Sequence, residues 1–187
     1  MNEAALTLAS SSRERVLNFV LFQAGWFACV LGAARGEGMA GAAIAMGIVL
    51  VHITRAQRPL RATALIALAC ALGALWDSAL ATAGWIGYDD ADISAVMFIG
   101  AAPLWIVALW ALFATTLNSS LAWMQGRPAL AALFGAIGGP LSYWAGERMG
   151  ALRLESPVAA LVALAAGWAL LTPLLMFAAR RIEGSKP

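Results

Sequence analysis

The sequence predicts an all-α protein, a polytopic transmembrane helical bundle of about six spans with both termini in the cytoplasm. Of its 187 residues, 62% are hydrophobic and only 12% are charged, and the mean hydropathy is +0.81. In soluble domains about a quarter of the residues are charged, so this chain has too few charged residues to cover the surface of a soluble domain. The whole chain, 1–187, is therefore predicted to be a single integral membrane domain.

Six apolar segments approach the roughly 20 residues that a helix needs to cross a bilayer. Short interruptions rich in glycine, proline and charged residues separate them, and none is long enough for a soluble domain. The second segment is the shortest and is rich in glycine and alanine, so a short, tilted or partly interfacial helix is its alternative. The predicted spans are about 16–34, 38–54, 62–86, 94–117, 129–149 and 157–179.

The N-terminal segment has a competing interpretation as a cleaved signal peptide, because Arg13 and Arg15 precede its apolar run. That run is longer than a usual signal-peptide core. It also contains Asn18 and Gln23, which suit a helix packed against other helices. We therefore interpret it as a retained span.

The distribution of lysine and arginine predicts the orientation. Nine of these residues fall on the side of the termini and three on the other side, so the positive-inside rule places both termini in the cytoplasm. The acidic loop with Asp89, Asp90 and Asp92 then faces outward. This pattern predicts a multi-pass membrane protein.

Composition also excludes several classes of partner and site. The net charge of +2 is too small for a nucleic-acid footprint, so no nucleic acid is expected as a partner. Cys29 and Cys70 lie in apolar runs without the spacing of a metal site or disulfide framework. Phosphate-binding and catalytic motifs are missing, and neither a metal nor a cofactor is predicted.

Asp77 is the first candidate site residue, because a carboxylate inside a span is expensive to bury. It lies nine positions before the predicted outer end of the third span, about 13 Å along a helix. Small residues share its helical face, so Asp77 is predicted to point into the bundle. It is interpreted as a proton-carrying or substrate-binding group, and a carboxyl that merely ties helices together is the alternative.

The fifth span contains polar residues at about the same predicted depth as Asp77. Tyr143 and Glu147 are one turn apart there, which predicts an intramembrane polar pocket with Asp77. The alternative is that Glu147 and Arg148 mark the water interface. A stripe of small residues follows an adjacent face of this span and would serve a partner helix as a docking surface. The stripe comprises Gly135, Gly139, Ser142, Gly146 and Gly150.

Weaker candidates lie elsewhere. His52, Asn18 and Asn118 fall near the cytoplasmic ends of spans; His52 lacks a neighbouring ligand or orienting acid, which favours an interfacial hydrogen-bonding role. Trp105 and Trp110 follow Pro103 deep in the fourth span. Deep aromatic residues line pockets for apolar ligands, but they also fill cores.

These polar and aromatic positions resemble a family of small polytopic bacterial inner-membrane proteins classed as a domain of unknown function, over about 16–180. In that family the genes often lie near lipid-modifying methyltransferases of the cyclopropane-fatty-acid-synthase type and near flavin-dependent oxidases. The resemblance therefore implies an envelope-lipid setting, and it assigns no catalytic residue. The motifs concerned are Asn18-Phe19, Trp26, Trp76-Asp77, Pro103-Leu104-Trp105, Trp110, Thr116 to Leu121 and Gly138 to Tyr143.

The expected function is to bind or handle a lipid-like or apolar molecule as an accessory to envelope lipid modification. Three alternatives stay open: a small proton-coupled transporter with Asp77 as its proton site, a membrane enzyme that uses Asp77 or Glu147, and a structural subunit of a membrane complex. Membrane lipid is the expected partner, together with a second copy of the chain or another membrane protein.

Overall fold

The computed structural model of the chain describes residues 3–88 and 102–183, with side chains over 12–88 and 102–182. The described residues form six α-helices and a short two-stranded ribbon, which confirms the predicted all-α helical bundle. The elements are α1 (Glu3–Ala33), α2 (Gly38–Arg55), α3 (Pro59–Thr82), β1 (Ile86–Gly87), α4 (Leu104–Ala114), α5 (Pro128–Arg148), β2 (Arg153–Leu154) and α6 (Pro157–Glu183).

Four of the described helices are long and apolar enough to cross a membrane, so the chain is a membrane protein. They are Ser12–Ala33 within α1, the whole of α2 and α3, and Pro157–Ile182 within α6. The predicted second span is thus among them. Helix α5 has the length, 21 residues, but its glycines, internal proline and polar residues lower its hydropathy. Helix α4 has 11 residues, so six full crossings stay a prediction.

The surface of the bundle is covered by large apolar side chains. In a soluble protein such residues would form the core, whereas in lipid an apolar exterior is the favourable arrangement. Every long helix contributes to this exterior, which fits a protein surrounded by acyl chains. Examples are Phe19, Phe27, Ile44, Leu75, Ile137, Leu141, Val162 and Phe177.

Helix α3 runs from Pro59 to Thr82, whereas the third span was predicted at about 62–86. Proline suits the first turn of a helix, where its missing N–H has no partner to lose. At the other end Gly84 takes a φ of +69°. The Trp85 N–H then bonds the Leu80 carbonyl at 3.1 Å, a glycine-dependent arrangement that closes a helix early.

The predicted fourth span, 94–117, corresponds to α4 only in part. Its first residues, 94–101, and the acidic loop before them lie outside the described residues. Helix α4 ends at Ala114 rather than at 117. The next two residues explain this, since the Thr115 and Thr116 hydroxyls donate to the carbonyls of Leu112 and Phe113 at 2.7 and 2.6 Å. Such local hydrogen bonds compete with continuation of a helix.

The turns after α1, α3 and α5 meet at one end of the bundle, which we call the ribbon end. Strands β1 and β2 pair there antiparallel, with Ile86 opposite Leu154. The turn after α1 lies beside them, because a Cβ added at Gly150 would come 4.0 Å from the Cβ of Ala34. The ribbon therefore covers the end of α3 where Asp77 lies.

Tryptophan rings pack on three glycines at contacts between helices. A Cβ added at Gly73, Gly139 or Gly167 would lie only 2.1–2.3 Å from indole atoms of a neighbouring helix. Only a residue without a side chain admits a ring this closely. The ring on Gly73 is Trp110, the ring on Gly139 is Trp168, and the ring on Gly167 is Trp76.

This packing corrects the prediction that the small-residue stripe of α5 is a docking surface for another protein. Gly135 and Gly139 are covered by Trp168 of α6, and the Ser142 hydroxyl accepts a hydrogen bond from Trp26 of α1. The stripe is used inside the chain, since small residues allow α5 and α6 to approach each other closely.

Candidate functional site

Asp77 lies at the centre of a buried hydrogen-bonded cluster. Its side chain is 0% exposed, and among the described residues three side chains donate to its carboxylate. The Trp110 indole N–H reaches Oδ2 at 2.7 Å, the Tyr88 hydroxyl reaches Oδ1 at 3.2 Å, and the Tyr143 hydroxyl also bonds Oδ1. We call these four residues the Asp77 cluster.

Each member of the cluster comes from a different part of the chain. Asp77 belongs to the last two turns of α3, Tyr88 follows β1, Trp110 lies in α4 and Tyr143 in α5. The carboxylate can take all three donors because an ionised carboxylate is an acceptor with several lone pairs. It thereby joins α3, α4, α5 and the ribbon end in one network.

The structure brings together two of the three residues of the predicted pocket. Tyr143 contacts Asp77, whereas Glu147 makes no hydrogen bond with the Asp77 cluster within the described residues. Its Oε1 instead accepts the backbone N–H of Leu154 at 2.9 Å. Glu147 is half-buried, and through this hydrogen bond it ties α5 to β2.

Asp77 lies nearer the helix end than predicted. It precedes the last residue of α3 by five positions, about 7.5 Å, since the helix stops at Thr82. Tyr88 reaches it through the turn and β1. Nothing in the sequence pattern indicated that the Tyr88 hydroxyl binds this carboxylate.

The weaker candidates near span ends lie apart from this cluster. Asn18 donates to the Thr115 carbonyl at 3.2 Å and accepts from the Ser120 hydroxyl at 2.8 Å, so it joins α1 to the segment after α4. Asn118 accepts a hydrogen bond from Gln125 in the same segment. His52 lies in the last turn of α2, half-buried and far along the helix from the ribbon end.

A narrow apolar cleft lies beside the Asp77 cluster, between α1 and α5. Its cavity volume is about 60 Å³. A cavity of this size holds roughly four to six water-sized groups. The lining residues are Phe22, Trp26, Val30, Trp105, Ile106, Leu109, Trp110, Phe113, Ser142, Tyr143, Gly146, Leu152 and Trp168.

The cleft and the cluster share two residues, Trp110 and Tyr143. Their polar atoms bind Asp77 while their rings form part of the cleft wall. Trp110 also stacks on Trp168, with ring centroids 4.5 Å apart and an angle of 14° between the planes. The Asp77 cluster therefore holds the wall of the cleft in position.

Exposed apolar side chains adjoin the rim of the cleft. Its rim residues on α1 and α5, such as Trp26 and Ser142, are half-buried and adjoin the exposed apolar residues Phe27 and Leu141. Across the rim, the Trp26 indole N–H donates to the Ser142 hydroxyl at 3.2 Å. Because apolar side chains flank both sides, we infer that the cleft opens sideways towards lipid.

Trp105 and Trp110, the two aromatic candidates, both line this cleft. Trp105 is 2% exposed and meets Tyr88 edge to face, at 5.9 Å between ring centroids. Its indole N–H makes no hydrogen bond within the described residues. These tryptophans thus contribute both to the core and to the wall of a cleft.

Fold and site together define a helical membrane protein whose buried polar cluster supports an apolar cleft. The chain belongs to the family described as protein of unknown function DUF2878, which matches residues 15–174. This match confirms the predicted resemblance to a family of unknown function. Neither a functionally curated protein nor a solved structure matches the chain.

Proposed function

We propose that the protein binds a lipid-like molecule in the cleft between α1 and α5, as an accessory to lipid modification in the bacterial inner membrane. The observation that carries this proposal is the cleft itself, which is apolar, rich in aromatic rings and flanked by the lipid-facing surface. Ligand sites are commonly concave and apolar with a few placed polar groups, and helix bundles form them between helices.

The dimensions of the cleft indicate how such a ligand sits. The cavity takes only a few methylene-sized groups, and exposed apolar side chains adjoin its rim. One end of the ligand therefore enters between Phe22, Leu109 and Gly146, and the rest of its apolar body stays in the bilayer. Membrane lipid is accordingly the proposed partner.

The accessory role rests on the family resemblance, which implies an envelope-lipid setting. A small proton-coupled transporter is the second candidate, because Asp77 is a fully buried carboxylate within a membrane protein. Proton movement into proteoliposomes that depends on Asp77 would favour the transporter over the lipid-binding proposal.

Filling the cleft at Gly146 is expected to abolish the function in cells. Gly146 lines the cleft, and a Cβ added there meets only Leu152 side-chain atoms, at 3.5 and 3.9 Å. The leucine of Gly146→Leu therefore has room to enter the cleft. Gly138→Leu on the same helix is the matched control, because a Cβ there meets only Phe134, at 3.9 Å.

The test is a mass-spectrometric lipid profile of a deletion strain that expresses wild type, Gly146→Leu or Gly138→Leu at equal levels. We expect the deletion to alter a lipid class, Gly138→Leu to restore it and Gly146→Leu to leave it altered. The proposal fails if both variants restore the profile or if the deletion changes no lipid class.

A further inference from the structure

The end of the bundle opposite the ribbon end carries an excess of positive charge. Helices α1, α3 and α5 begin there, and α2, α4 and α6 end there. Among the side chains that the structure describes, eight exposed arginines and one glutamate lie at this end, whereas the ribbon end has three arginines and three glutamates. We call it the arginine end, and its arginines are Arg13, Arg15, Arg55, Arg58, Arg61, Arg127, Arg180 and Arg181.

Two of these arginines, Arg127 and Arg180, come together where α5 begins and α6 ends. Trp168 of α6 packs on Gly139 of α5, and the two helices run in opposite directions, so the start of α5 lies beside the end of α6. Before α5 the backbone turns at Gly126, with a φ of +80°. A Cβ added at Gly126 would lie 3.1 Å from Nη1 of Arg180. The Arg180 guanidinium therefore lies against the turn that leads into Arg127.

The charge of this arginine pair is not balanced by the described part of the chain. Both side chains are exposed, and neither pairs with an acidic side chain among those that the structure describes. Like charges at one point of a surface repel each other, and an anion between them relieves that repulsion. Phosphate suits the position, because its oxygens accept parallel hydrogen bonds from the planar fork of a guanidinium.

The surroundings of the pair are those of the boundary between acyl chains and lipid headgroups. The Arg181 guanidinium carbon lies 4.8 Å from the ring centroid of Phe177, and this ring is 56% exposed. Trp123, in the short turn between α4 and α5, is 50% exposed. Exposed indoles, and arginines that extend over apolar groups, are typical of the membrane interface. Arg180, the neighbour of Arg181, therefore lies at the level of lipid phosphates.

We propose that an anionic phospholipid binds at this junction of α5 and α6, with its phosphate at Arg127 and Arg180 and an acyl chain along the exposed apolar residues of α6, such as Phe177. The positive-inside rule places the arginine end in the cytoplasm, and the cytoplasmic leaflet has a negative surface potential. A zwitterionic lipid carries its own cation beside the phosphate, so it matches the arginine pair less well. The site lies beyond the proposed function, because the cleft is lined by Ser142 and Gly146, near the other end of α5.

The experiment measures which phospholipid the purified full chain retains. The protein is incubated in detergent with equal amounts of phosphatidylglycerol and phosphatidylcholine that carry the same acyl chains, and native mass spectrometry gives the ratio of the two bound lipids. We expect wild type to prefer phosphatidylglycerol. The double variant Arg127→Gln, Arg180→Gln is expected to lower the ratio by about fivefold for each arginine removed.

The double variant Arg35→Gln, Arg148→Gln is the matched control. It removes the same amount of charge, and both arginines are exposed, but they lie at the ribbon end. We expect this control to keep the wild-type ratio. All four positions are exposed, so unfolding curves of both double variants should match that of wild type.

Several results would overturn the site. An equal loss of preference in the two double variants would mean that net charge alone decides, and an unchanged ratio without Arg127 and Arg180 would mean that the pair does not bind the lipid. If inorganic phosphate removes the preference and chloride at the same ionic strength does not, the junction takes free phosphate rather than a lipid. Gly146→Leu is expected to keep the preference, and its loss there would place the preferred lipid in the cleft.

Discussion

Asp77→Ala is expected to lower the free energy of unfolding by about 2–5 kcal/mol, because three buried donors lose their shared acceptor. A buried donor left unpaired costs about 1–3 kcal/mol in soluble proteins, and interhelical hydrogen bonds in membrane proteins average about 0.6 kcal/mol. Asp77→Asn is expected to lower the free energy of unfolding by less. The asparagine keeps one acceptor oxygen for the two tyrosine hydroxyls, but its amide NH₂ group faces the Trp110 indole N–H, which then has no acceptor.

Equilibrium unfolding of the purified variants in detergent measures this effect. Thr82→Val, on the same helix, is the matched control, because Thr82 is exposed and its hydroxyl bonds only its own helix, at the Ser78 carbonyl, 2.7 Å away. Tyr88→Phe and Tyr143→Phe remove one donor each and should cost less than Asp77→Ala. Equal stability of Asp77→Ala and Thr82→Val would show that the cluster does not hold the bundle together.

Gly41→Ala is expected to lower the free energy of unfolding by about 3 kcal/mol, at the upper end of the overpacking range. A Cβ at Gly41 would lie 2.4 Å from the Ala28 carbonyl oxygen and 2.8 Å from the Cys29 Cα, both backbone atoms of α1. Backbone cannot change rotamer as a side chain can, so α1 and α2 must separate. Because α1 forms one side of the cleft, lipid binding should weaken as well.

Gly47→Ala provides the control for this substitution. It lies on the same helix, and a Cβ there meets nothing within 4 Å. Alanine is a better helix former than glycine by about 1 kcal/mol, so Gly47→Ala is expected to leave stability unchanged or to raise it slightly. If both alanine variants have the same unfolding curve, the close approach of α1 and α2 at Gly41 is not a determinant of stability.

The contact between Asp77 and Tyr143 could be anticipated from the sequence, because the two residues have similar depths and small residues surround both. The placement of Glu147 could not be derived in the same way. Sequence spacing puts Glu147 one turn from Tyr143, but the turn after α5 brings the Leu154 amide within its reach. A local backbone donor is more accessible to a carboxylate at a helix end than a buried cluster one turn deeper.

The cleft was beyond prediction because it depends on helix order and helix rotation. Hydropathy defines apolar segments, but it does not say that α1 and α5 flank a gap over α4. The unpaired indole N–H of Trp105 could not be predicted for the same reason, because the partners of an indole depend on which helices meet. The early end of α3 was missed for a different reason, because Gly84 terminates the helix inside an apolar run.

Native mass spectrometry of the purified protein tests most directly whether the cleft binds a lipid-like molecule. Wild type, Gly146→Leu and Gly138→Leu are released from detergent under the same conditions, and the fraction that retains a lipid is measured. We expect wild type and Gly138→Leu to retain lipid and Gly146→Leu to retain about tenfold less, since its leucine occupies the cleft. Equal retention by Gly146→Leu and Gly138→Leu would contradict lipid binding in this cleft.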